Sequence, residues 1–154
     1  NTLRILTMQD ESGRPFLARA ILRIGCPQSE PTDNWSRGGL SAAIDLESGR
    51  AGPAASYPAR GSAVTWREAH PDSGEQIAGI EIPNWELISR RLLEVAESLP
   101  FLPYIGWDVL PSGDGFKILE GNSYSDVNLL QIHAPLLCDP RIGAFLERHG
   151  VFRR

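Results

Sequence analysis

The apolar period of the sequence changes at Asn84, and that change limits the chain to a mixed architecture. Over residues 84–99, NWELISRRLLEVAESL, Trp85, Ile88, Leu92, Val95, Ala96 and Leu99 recur at helical spacing and form one stripe. Asn84 stands where an N-cap belongs, directly after Pro83, while Pro100 and Pro103 close the segment. What precedes it reads as strand. TLRILT (2–7) and PFLARAILRIG (15–25) flank a turn over 10–14. Alternation places Arg19, Ile21 and Arg23 on one face of the second strand and Ala18, Ala20 and Leu22 on the other. A polar loop over 26–39 leads into a further strand, LSAAIDL (40–46), and residues 51–82 read as loops and short strands. After the helix comes a hairpin, and residues 127–149 read as helix in two pieces broken around 135–140. This order predicts an α+β fold with a mostly antiparallel sheet and packed helices.

The 154 residues suffice for a single domain with a substantial core. Nineteen acidic against 15 basic residues give a net charge of −4, which argues against a nucleic-acid partner. Nothing resembles a signal peptide or a membrane span. Cys26 and Cys138 lie far apart without metal-type spacing and read as free thiols of a reducing, cytoplasmic compartment; one disulfide remains compatible with the sequence. His70, His133 and His149 are scattered and suggest neither a zinc site nor a triad. The chain opens on NTLRILT, straight into a strand and without an initiator Met, and is expected to be the C-terminal part of something longer.

The hairpin carries the chemistry. Two apolar runs, 105–110 and 116–119, flank a Pro-Ser-Gly-Asp-Gly turn, yet Asp108, Glu120 and Asn122 sit within or at the end of the strands. Carboxylates are depleted from strand interiors. With 111–115 as the loop, Leu110 pairs with Phe116, Asp108 with Ile118 and Gly106 with Glu120. Ile105, Trp107, Val109 and Leu119 then point to the core, and Asp108, Glu120 and Asn122 point away from it. Asp108 and Glu120 become diagonal neighbours, with Cβ atoms roughly 7–8 Å apart. Two acids and an amide oxygen make an all-oxygen site that suits Mg²⁺ or Mn²⁺ better than zinc. The same pattern also fits an ordinary solvated polar face.

GWDV, a turn, then KILEGN resembles the C-terminal metal-binding hairpin of the ATP-grasp superfamily. TLRILT, AILRIG and DNWSRGG are similar to the arginine-strand, arginine-strand, Asn-x-x-x-Gly-Gly series of glutathione synthetase and the ribosomal-protein glutamate ligases. The widest resemblance, over nearly the whole chain, is to the sugar-transfer-associated ATP-grasp family. It implies the C-terminal half of an ATP-grasp catalytic domain, with Asp108, Glu120 and Asn122 binding two magnesium ions on ATP. It implies that Arg4 and Arg23 face the triphosphate or an acyl phosphate, and that Asn34, Gly38 and Gly39 lie close to the phosphates and the acceptor. Family members often continue past the Asn with Pro-Gly, whereas this chain continues GNSYSDVNLLQ, which leaves the roles of Tyr124 and Asp126 open.

The implied activity is Mg–ATP-dependent ligation. A small-molecule carboxylate would be activated as an acyl phosphate and attacked by an amine or sugar-linked acceptor, in cell-surface polysaccharide biosynthesis. The phosphate-holding lysines would come from preceding residues, since Lys117 is the single lysine here and is expected on the apolar face of the hairpin. Two alternatives remain: a non-catalytic nucleotide- or sugar-binding remnant, and a structural or interaction domain.

Overall fold

The computed structural model describes residues 1–58 and 63–151. Seven strands form one sheet in the order β5-β4-β3-β2-β1-β6-β7, and every neighbouring pair is antiparallel. In chain order these are β1 (Thr2–Gln9), β2 (Pro15–Ile24), β3 (Leu40–Ile44), β4 (Ala51–Ser56), β5 (Trp66–Arg67), β6 (Tyr104–Ser112) and β7 (Gly115–Asn122). The helices are α1 (Trp85–Glu97), α2 (Asn128–Gln131) and α3 (Pro140–Arg148). The expected α+β class with a mostly antiparallel sheet is the class observed. The region over 51–82 does hold short strands, and its residues 59–62 lie outside those described.

Each face of the sheet has its own apolar cluster. On one face Leu3, Ile5, Leu22, Ile24, Ile105, Trp107 and Val109 pack beneath α1, whose buried stripe is Trp85, Ile88, Leu92 and Ala96. On the other, Leu6, Met8 and Ile21 meet Leu130, Leu136, Ile142 and Phe145 from the C-terminal segments. Strands β1 and β2 are thus covered on both sides, which accounts for their near-continuous apolar runs. Asp139 starts α3 as an N-cap, its carboxylate accepting from the Arg141 N–H at 2.9 Å, with Pro140 at the first helical position.

Several local expectations change. Ala18 packs with Ile21 instead of with Ala20 and Leu22, because β2 slips against β1 between Leu6 and Thr7 and leaves Ala18 as the extra residue. Asn84 does precede α1, but it adopts a left-handed conformation (φ 59°, ψ 28°) and its amide donates to the Ser112 carbonyl, tying the helix start to the hairpin tip. The hairpin loop is two residues, Gly113 and Asp114, with Ser112 paired to Gly115. Ladder pairing then slips between Asp108 and Val109, leaving Leu119 as the bulged residue. Leu119 is accordingly 54 % exposed instead of buried. Lys117 is exposed as well, because the distal hairpin extends past the sheet's core.

Gly49 is the tightest constraint on the packing of α1. Its φ is +70°, and a Cβ built there would meet Trp85 Cγ at 2.5 Å. Gly52, on the neighbouring strand, has open space around it, its nearest contact being 3.8 Å from the Ala43 carbonyl. Gly49→Ala is therefore expected to cost about 2 kcal/mol or more in urea unfolding. Gly52→Ala should stay within about 0.5 kcal/mol of the parent.

Candidate functional site

Three adjacent strands, β2, β1 and β6, each contribute a charged residue to one face of the sheet. Arg4 on β1 pairs across the ladder with Asp108 on β6, and Arg23 on β2 pairs with Thr2. In the sheet interior such groups must find partners, since burying an uncompensated charge is prohibitive. They find each other. Arg4 Nε donates to Asp108 Oδ1 and its Nη2 to Asp108 Oδ2 at 3.1 Å, a two-pronged contact. Arg23 Nη1 donates to the same Oδ2 at 2.9 Å. Arg23 Nη2 reaches Asn34 Oδ1 at 2.8 Å and lies 2.6 Å from Asp33 Oδ1. Two arginines and two aspartates balance, and the Arg4, Arg23 and Asp108 side chains are only 15, 9 and 12 % exposed.

The bulge at Leu119 brings Glu120 directly opposite Asp108 and Asn122 opposite Gly106. This corrects the expected diagonal relation: directly opposed Cβ atoms lie about 4.5–5.5 Å apart. Asp108, Glu120 and Asn122 therefore share one face, as read from the sequence. Glu120 is exposed, and Asn122 donates its Nδ2 to Glu120 Oε1 at 2.9 Å. That donation leaves the amide oxygen as the Asn122 atom able to meet a cation. Two carboxylates and an amide oxygen fit a hard divalent cation, although both Asp108 oxygens are engaged by arginines here.

Gly38 and Gly39 play a different part from donors to a phosphate. Their N–H groups are engaged inside the loop, Gly38 to the Trp35 carbonyl at 3.1 Å and Gly39 to the Asn34 carbonyl at 3.1 Å. Gly38 has φ +104°, and a Cβ on Gly39 would lie 2.8 Å from the Asp33 carbonyl and 3.0 Å from that of Asn34. The pair lets the loop fold tightly enough to aim Asp33 and Asn34 at Arg23. Asn34 faces the cluster directly.

Some participants were missed. Asp33, inside the DNWSRGG stretch, is the second counter-ion of Arg23 and also accepts from Thr2 Oγ1 at 2.6 Å. Ser125 accepts from Arg4 Nη1 at 3.1 Å, and its carbonyl accepts from the Tyr104 hydroxyl at 2.8 Å. Gly106 makes room for it, since a Cβ there would overlap Ser125 Oγ and Cβ. Burial, with the Asp126 carboxylate nearby, pushes the Tyr104 phenol up, and Arg4 opposes the change. Beside Arg23 across the ladder, buried Ser41 lies 2.9 Å from His133 Nε2. Burial lowers His133 to about 4, only partly offset by a backbone hydrogen bond with Ser41, so the imidazole is neutral near pH 7.

Two clefts open on either side of this cluster, each about 560 Å³. Arg23 and Asn34 line both. Asp108, Asp33 and Leu119 belong to the first, and Arg4 to the second. Cys26, His70 and Asp72 also lie within ligand distance of one another, but His70 Nδ1 accepts from the backbone N–H groups of Asp72 and Ser73, so Nε2 carries the proton and faces the Gly25 carbonyl at 3.0 Å. Burial raises the Cys26 thiol. Cys26 and Cys138 are both free.

The sugar-transfer associated ATP-grasp family model matches residues 1–139. The chain belongs to that family. Membership connects it with ATP binding and ATP-dependent ligase-like chemistry. Comparisons with curated proteins and with solved structures return no significant match. No helix among the described residues is long and apolar enough to cross a membrane.

Gly106→Ala should displace Ser125 and loosen Arg4, lowering the thermal midpoint by several degrees, whereas Ser125→Ala should cost only about 1 kcal/mol. The depressed His133 makes a separate expectation. An unfolded chain binds a proton near pH 6.5 that the folded chain refuses until about pH 4. Its contribution is complete above 6.5 and declines as pH falls, at up to about 1.4 kcal/mol per pH unit. In urea titrations, the stability advantage of the parent over His133→Gln should shrink steadily from pH 6.5 to 4.

Proposed function

We propose that this chain supplies the metal- and phosphate-facing half of an ATP-dependent carboxylate ligase, the rest of the nucleotide site coming from preceding residues. The observation that carries the reading is the convergence of two buried guanidinium groups on the one carboxylate that shares a face with Glu120 and Asn122. In the proposed reaction a carboxylate oxygen of the substrate attacks the γ-phosphorus of ATP, the bond to the β–γ bridging oxygen breaks, and ADP leaves. An amine or similar nucleophile then adds to the acyl carbon, expels phosphate and loses its proton. Family association with sugar transfer motivates a role in cell-surface polysaccharide biosynthesis within the cytoplasm.

Asp108, Glu120 and Asn122 would hold magnesium or manganese, which supplies charge neutralisation at the phosphates. Arg4 and Arg23 present flat, permanently charged forks that match phosphate and acyl-phosphate oxygens. Their orientation is set in advance by Ser125, Asn34 and Asp33, so little reorganisation is needed when negative charge develops. Asn34 borders the approach of both reactants. Positioning and charge compensation of this kind are most of what a protein contributes to phosphoryl transfer.

Glu120→Gln and Asn122→Ala are the clean tests, because both residues lie at the strand surface. In the protein extended by its nucleotide-binding half, each should lower Mg–ATP-dependent ADP release at least about tenfold while leaving the thermal midpoint within about 2 °C. Asp108→Asn behaves differently: it leaves two buried arginines short of a counter-charge and costs on the order of 3 kcal/mol of stability. Arg23→Lys keeps the charge, loses the fork, and should impair turnover beyond its effect on stability. Residues 1–154 alone should not turn over ATP. Wild-type rates in Glu120→Gln and Asn122→Ala would remove the metal assignment.

A further inference from the structure

The second cleft is a built space that phosphate and metal chemistry uses only at its Arg4, Arg23 and Asn34 border. Its inner end is Arg4 and Arg23, the only two cations among its described lining residues. One wall is aromatic: Trp35 and Tyr57 meet edge to face, with centroids 4.8 Å apart and planes at 80°. Trp35 is fixed there, since its indole N–H donates to the Ala55 carbonyl at 2.9 Å. Leu129 and Ile132 add apolar surface on the opposite side. Exposed Ser36, Asn128 and Gln131 line it too, as does Asn34 beside Arg23, with Asp126 as the single carboxylate among the described lining.

This distribution specifies a ligand. Once a divalent cation draws Asp108 away, the guanidinium forks it held face the cleft and select a planar anion, and a carboxylate fits them bidentately. Amide side chains both donate and accept, so three of them with a serine match hydroxyl groups, which do the same. A rigid aromatic wall accommodates the flat apolar side of a ring, and about 560 Å³ lies within the usual range for small-molecule sites. We infer that the second cleft binds a hydroxylated ring carboxylate, of the uronic-acid type, with its carboxylate against Arg4 and Arg23. Its assignment as the carboxyl substrate rests on the ligase reading above. Because Arg23 and Asn34 line both clefts, the acid would meet the phosphate at that shared border.

The experiment is a calorimetric and saturation-transfer NMR titration of the chain with D-glucuronate, D-glucose and L-glutamate, in saturating Mg²⁺ and without nucleotide. Glucuronate should bind at least about tenfold more tightly than either of the others. Asn128→Ala combined with Gln131→Ala should weaken it at least about fivefold, and Tyr57→Ala should do likewise, with unfolding midpoints unchanged. Equal binding of glucose would overturn the anion-selecting end, and preference for glutamate would overturn the hydroxylated class. Unchanged affinity in the variants would place the acid elsewhere, and no binding of any probe by about 20 mM would dispose of the site. Mg–ATP binding, measured separately on the extended protein, distinguishes the two readings. If glucuronate binds selectively but Mg–ATP does not bind, the ligase reading falls and the cleft stands. The reverse result removes the cleft alone.

Discussion

Asp108 is the point on which the site depends. A carboxylate inside an antiparallel sheet, 8 % exposed, is tolerable only with full compensation. Three guanidinium nitrogens of two arginines converge on its two oxygens, and each arginine comes from a different strand. The pairing register of β1 with both β2 and β6 must therefore be held to the residue. A slip of one would send an arginine to the opposite face, into the cluster under α1.

That register is held by apolar packing around the charges. Leu3 and Ile5 flank Arg4 in sequence, and Leu22 and Ile24 flank Arg23; all four lie under α1 at 7 % exposure or less. On the charged face, Leu6 and Ile21 continue the same strand positions into the cluster closed by α2 and α3. The face is thus divided: one end is filled by the C-terminal segments, while the other is left open and polar. The α2 region meets this boundary at Ser41 and His133, where a neutral imidazole is needed. The chain past Asn122 consequently has two tasks, sealing the second core and lining the second cleft.

Much of this was legible because periodicity reports burial directly. The helical stripe from Trp85 to Ala96, the β1–β2 hairpin and the shared face of Asp108, Glu120 and Asn122 all follow from alternation and turn chemistry. What alternation could not show was where it breaks. The Ala18 and Leu119 irregularities each insert one residue, and an inserted residue has no sequence signature when both faces of the strand are apolar or both are exposed. The Leu119 bulge matters most, since it moves Glu120 from a diagonal to a direct position opposite Asp108. Paired glycines such as Gly38 and Gly39 can offer backbone N–H groups to a phosphate, but in this loop those groups are consumed by the Trp35 and Asn34 carbonyls. Ser125, Ser41 and His133 escaped because their roles come from contacts 92 to 121 residues apart in sequence, and Asp33 because its pairing with Arg23 depends on how the intervening loop folds.

The charge balance also constrains how the site can be filled. Asp108 cannot turn to a cation without leaving Arg4 short of its two-pronged partner and Arg23 short of one of its two counter-ions. Buried as they are, those guanidinium groups need another anion in the same step, and phosphate or carboxylate oxygens have the geometry to replace the lost contacts. A cation alone must work against the cluster, and so must an anion alone, because Asp108 already holds the forks it would use. Together they exchange partners without stranding a charge. Binding of the two is therefore linked, and by reciprocity each strengthens the other by the same factor. On the proposed ligase reading, the arginine cluster is the resting partner of a site for ligands of both signs, with Asn34 and Asp33 keeping Arg23 aimed during the exchange.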